Sequence, residues 1–255
     1  MKKIFFFIGL LCISSQNFAQ TSYLMPKFGL SFARQNYSDG LLNSFGFAEK
    51  LSKDNIKFNR GFTYGVAYVR GITDEDDFLS FTLQPELIYT QKGIRISYQD
   101  NTFREKEQRY FSYLELPISG KLVFGTENLK GFIYGGPAVG YVISGKYKYQ
   151  SQCDCDNYVE TREGSIKYED APARYAGSDV YAGKDGVSRI DFGVQGGIGF
   201  SYTVGDLGMI MFDTRYGTGF TNFYKKYASA SSGTDLSSKN RALTFSIGFA
   251  FNLDN

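Results

Sequence analysis

The sequence of 255 residues has no histidine and no tryptophan, only three cysteines and only five prolines. Without histidine there is no Ser–His or Asp–His arrangement, no imidazole to relay a proton and no imidazole metal ligand. Long apolar runs are also scarce. The longest, Ile4–Ile13, is about half of the 20 residues that a membrane helix needs. Charge of one sign is missing too: 28 Lys and Arg face 26 Asp and Glu. A nucleic-acid binder would carry a basic patch or stripe in its overall balance, so that class is excluded.

Lys2 and Lys3 precede the apolar run, and Ser14, Ser15, Gln16, Asn17, Phe18 and Ala19 follow it. A basic start, a short apolar centre and a small residue before a polar stretch predict a secretory signal peptide over residues 1–19, with cleavage after Ala19 or alternatively Gln20. Cys12 would leave with it. Bulky Leu11 stands where a lipoprotein signal would place a small residue. The mature part then holds 26 basic and 26 acidic residues and only Cys153 and Cys155, too few for a disulfide framework.

What is abundant is Phe (24), Tyr (20) and Gly (29), a composition that favours strands. The main pattern is alternation with period two. In Arg189 to Tyr202 the even positions Ile190, Phe192, Val194, Ile198, Phe200 and Tyr202 are apolar, and the odd ones are polar or glycine. The same alternation runs through Leu79 to Tyr89, Tyr113 to Phe124 and Ala242 to Leu253. It is weaker in Lys27 to Ala33, Gly61 to Ile72, Phe132 to Ile143 and Met209 to Tyr216. Each segment needs two different environments on its two faces.

The connections alternate in length. Long ones span 34–60, 93–109, 148–188 and 217–240; short ones span 73–77, 125–129 and 204–207. That is the arrangement of an all-β, antiparallel up-and-down transmembrane β-barrel of about eight strands, with long extracellular loops and short periplasmic turns. In hydrocarbon every backbone polar group must pair within the protein, which a closed barrel achieves and an open sheet does not. A tilted strand crosses in about 9–11 residues.

The apolar faces then meet lipid and the polar faces turn inward. The inward set includes Lys27, Glu86, Glu115, Lys121, Arg189, Asp191, Asp213 and Arg215, four acids and four bases. They are expected to form a paired network that plugs the lumen, since eight strands enclose little more than their own side chains. Arg70 and Arg241 fall in phase with the lipid face but near strand ends, where an outward base costs about 0–1 kcal/mol. Pro85, Pro117 and Pro137 lie inside strand candidates and are expected to sit at bulges. In Phe132 to Ile143 both faces are apolar, and Gly136, Ala138 and Gly140 are assigned inward because a crowded lumen needs small residues.

Three segments, LQPELIYTQKG (83–93), YLELPISGKLVFG (113–125) and GFIYGGPAVGYVIS (131–144), resemble strand signatures of the outer-membrane β-barrel family common in Bacteroidetes, the porin-family or PorT-like group. The resemblance covers nearly the whole mature chain and rests on where Pro and Gly stand within the strands. It implies a barrel in a Gram-negative outer membrane. One named member of that group takes part in type IX secretion, but no motif here carries that role across.

No catalytic, cofactor-binding or metal-binding residue is assigned. The carboxylate pairs Glu86 with Glu115 and Asp191 with Asp213 are expected to neutralise lumen bases, and the chain is expected not to be an enzyme. Cys153 and Cys155 read either as a redox or soft-metal site or as a structural pair, a local loop disulfide or two loop thiols. Two thiolates fall short of the four ligands of a closed zinc site, which favours the structural reading in either form. Residues 150–188 are acidic but contain no D-x-[DN]-x-[DN]-G calcium loop. The glycine strings GGP and GGIG lie inside strands and open no helix, so they cradle no phosphate.

The expected role is structural or interaction-bearing, with lipid as one partner and an extracellular or envelope protein met through the long loops as another. A narrow passive channel or a secretion-system accessory is the alternative. A soluble lipocalin-like barrel is the third possibility, and it would require the opposite polarity, apolar inside.

Overall fold

Alternating sequence becomes alternating burial. The computed structural model describes residues 21–38, 53–73, 78–99, 103–126, 128–153, 158–168, 180–181, 188–223 and 237–254; the expected signal peptide lies outside them. The strands are β1 (Ser22–Tyr37), β2 (Ile56–Lys57), β3 (Asn59–Gly71), β4 (Leu79–Gln99), β5 (Phe103–Thr126), β6 (Leu129–Cys153), β7 (Tyr158–Lys167), β8 (Val180–Tyr181), β9 (Ile190–Thr203), β10 (Met209–Gly219) and β11 (Ser238–Asn252). Eight of them close a ring in the order β1–β3–β4–β5–β6–β9–β10–β11, each antiparallel to its neighbours. The seam is the pairing of the first strand with the last, from Tyr23 opposite Asn252 to Tyr37 opposite Ser238.

The polarity is that of a membrane barrel. Phe28, Phe62, Ile198 and Phe212 stand on the exposed outer wall, while Lys27, Ser31, Glu86, Lys121 and Asp213 are buried inside. A lipocalin would show the reverse, and that alternative falls. Along β6 the outward residues include Ile133, Val139 and Ile143, whereas Phe132, Tyr134 and Val142 are buried; Ala138 and Gly140 line an inner cavity.

Several loops expected from the sequence are shorter than their assigned spans. Residues 93–109 are mostly ladder: Gly93 pairs with Tyr110 and Gln99 with Arg104. The reason is packing, because Ile94 and Phe111 are buried in an apolar cluster above the lumen. Residues 148–153 continue β6, and β7 pairs with that extension. β1 runs on through Tyr37, and β10 through Gly219. Strands β4, β5, β6 and β7, with β2 on the β4 edge and β8 on β7, therefore stand above the ring as an extracellular sheet.

The prolines also differ from expectation. Pro85 lies opposite Ile118, and Pro117 opposite Ala138, so three adjacent strands carry prolines close to one level. The ladder skips residues there without changing register. The irregularity recorded between β5 and β6 is at Ser112/Tyr113 instead. A proline can interrupt a ladder simply by lacking a donor, with no extra residue inserted.

Candidate functional site

The lumen has three layers. At the periplasmic end Tyr23, Met25, Ala67, Val69, Met211 and Ala250 form an apolar floor. At the extracellular end Tyr37, Ile56, Ile94, Phe111, Tyr113, Val142, Ile166 and Phe223 form an apolar roof. The charges lie between, brought together by strands far apart in sequence.

The lower charge group centres on Arg215 of β10. Its Nη2 donates to both carboxylate oxygens of Glu86 on β4, at 2.6 and 2.8 Å. Lys27 on β1 donates to Asp213 Oδ2 at 2.9 Å and lies 3.6 Å from Glu86. Tyr134 joins the two pairs: its hydroxyl donates to Asp213 at 2.6 Å and accepts from Arg215 Nε at 3.1 Å. Gln84 donates to Glu86, and Ser246 donates to Asp213, both at 2.8 Å. The two carboxylates are thus surrounded by donors, as buried charges must be if desolvation is to be offset. Lys121 sits beside this group, 4.3 Å from the centre of the Phe132 ring and 3.8 Å from the Met211 sulfur.

The upper charge group is separate. Lys92 pairs with Glu115 at 2.5 Å. Asn240 donates to Asp191 at 2.8 Å and to the Tyr113 hydroxyl at 2.9 Å, and it accepts from Gln35 at 3.2 Å. A cavity of about 40 Å³, lined by Lys92, Glu115, Asp191 and Arg215 among small residues, lies between the two groups. That is room for about two or three waters.

Of the eight residues expected in one network, five meet in the lower group and two in the upper. Arg189 joins neither: its guanidinium stacks over Tyr141 and Tyr168 at 4.8 and 5.1 Å. Lys92, the partner of Glu115, was missed because the alternating segment was ended at Tyr89, three residues short of it. Its signal was phase, since Glu86, Ile88, Thr90 and Lys92 follow one face. Cys153 is disulfide-bonded, while Cys155 lies outside the described residues. Among the described residues no cluster of three or more Cys, Asp or Glu is placed to hold a metal.

A family model for the outer membrane protein beta-barrel domain matches residues 15–225. The chain belongs to that family. It therefore lies in the outer membrane of a Gram-negative bacterium, its apolar wall against lipid.

Solved barrels of similar build include Ail, the attachment invasion locus protein of Yersinia pestis, at 14% identity and TM-score 0.31 over 92% of this chain and 100% of that one. Neisserial surface protein A is similar at 13% and 0.34, over 89% and 97%. OprG of Pseudomonas aeruginosa is similar at 10% and 0.40, over 92% and 97%. No curated protein matches the sequence.

Proposed function

We propose that this family member is a closed, non-enzymatic barrel whose extracellular sheet and loops carry its interactions. One observation carries the reading: an ion-paired, hydrogen-bonded layer fills the lumen between an apolar floor and an apolar roof. Passage of a hydrated ion would require parting Arg215 from Glu86 and displacing both apolar layers. Catalysis finds little purchase, because Glu86 and Asp213 are saturated by cationic and hydroxyl donors. Binding by outward loops on a rigid scaffold remains, and such loops are where binding usually resides.

Planar-bilayer recording on the purified full chain tests this. The expected trace is flat at moderate voltage. Stable single-channel steps of porin size would establish the channel reading instead.

A further inference from the structure

Above the apolar belt the outward face of the wall changes character. Strand alternation assigns Arg34, Arg60 and Arg241 to this face just beyond Phe32, Phe62 and Leu243, and Arg95, Lys106 and Lys146 to it higher up. The acids of the extracellular sheet go mostly to its other face: Glu105 accepts from Tyr149, and Glu107 pairs with Arg109, in phase with buried Phe111 and Tyr113. Among the described residues of the sheet's outer face the carboxylate is Glu163, 3.8 Å from Lys148. Two cross-strand pairs even oppose like charges, Arg34 to Arg241 and Lys57 to Arg95. Like charges directly opposite are destabilising, and although the Arg34 guanidinium packs over Phe58 at 5.1 Å, an anion over either pair would offset the repulsion.

We infer that this basic face binds the phosphate groups of a phosphorylated glycolipid of the outer leaflet. Position argues for lipid, because the face continues without a break the wall that meets acyl chains. Height argues for a glycolipid. The interfacial layer of a leaflet is only about 5–8 Å thick, and the lower arginines, two residues past the apolar belt, lie within its reach. Arg95 is six residues past Tyr89 and Lys106 eight residues from Leu114. At about 3.3 Å per residue and a tilt of about 40°, they stand some 15–20 Å above the hydrocarbon. A phospholipid head group does not reach them; an anionic sugar chain does. The inference does not depend on whether the lumen conducts.

The test uses the full chain in phosphatidylcholine vesicles containing phosphorylated lipopolysaccharide, the same lipopolysaccharide after phosphatase treatment, or phosphatidylglycerol. Lipid retained through mild detergent extraction is counted by mass spectrometry. Phosphorylated lipopolysaccharide should be retained preferentially. The double variant Arg95→Gln, Lys106→Gln should lower that retention about twenty-five-fold at low salt, about fivefold per charge, while leaving phosphatidylglycerol retention unchanged. Heat-modifiable migration checks that the variant folds. If it does not, retention by the unaltered chain must still fall as salt screens the phosphates. Equal retention of the treated and untreated glycolipid, or indifference to both the double variant and salt, would overturn the inference. So would displacement of the glycolipid by a soluble sulfated glycan at equivalent charge.

Discussion

Arg215 illustrates what one side chain must do inside a barrel this narrow. It reaches Glu86 with two hydrogen bonds and Tyr134 with a third. Removing it by Arg215→Met strands Glu86 beside Lys27, 3.6 Å away, as its remaining close cation. The expected loss is about 3–5 kcal/mol, read from urea unfolding in lipid vesicles. The double variant Arg215→Met, Glu86→Gln should recover most of it, because the stranded charge goes with its partner. Seven of the residues in the two charge groups, among them Lys27, Glu86 and Arg215, were legible as inward positions from alternation alone. Which acid met which base was not, since partners such as Glu86 and Arg215 come from strands that are not neighbours in the ring. Arg189 is in phase with the lumen but lies near two tyrosine rings, Tyr141 of β6 and Tyr168, the second of which comes from the long connection 148–188.

At the scale of the strand, period two was clear wherever one face met lipid, as in β9 and β11. It faded where β4, β5 and β6 rise out of the membrane, because neither face there meets hydrocarbon. That is why 93–109 resembled a loop. The three prolines belong to this scale too. Around Pro85 the ladder is interrupted on both sides, between β3 and β4 and between β4 and β5, whereas β9 and β10 pair continuously from Gly193 to Thr203. Local opening follows the weakest hydrogen-bonded runs. Hydrogen-exchange labelling in micelles should therefore find mid-strand amides of β4 and β5 exchanging before those of β9 and β10. The opposite order would mean that side-chain packing, not the ladder, sets local stability there.

For the whole molecule, the ring was predictable from eight alternating segments and from connections that alternate long and short. The roof and floor were not, because their members, Tyr37, Phe111 and Phe223 above and Met25, Val69 and Met211 below, come from segments that each look unremarkable alone. A wall with every strand paired on both sides should resist unfolding by detergent. Unheated protein is expected to migrate faster in a denaturing gel than boiled protein, and a chain ending before Ser238 should show no such shift.

The seam between β1 and β11 has a consequence for how the protein is made. Until β11 has been made the sheet ends in two bare edges, because the partner of β1, Ser22–Tyr37, is Ser238–Asn252. Nothing shorter can be inserted safely in hydrocarbon, so the polypeptide has to be kept apart from itself and from other chains during its whole crossing of the periplasm. Delivery to the outer membrane is thus bound to β11: it acts as the latch, and until it arrives there is no door to shut.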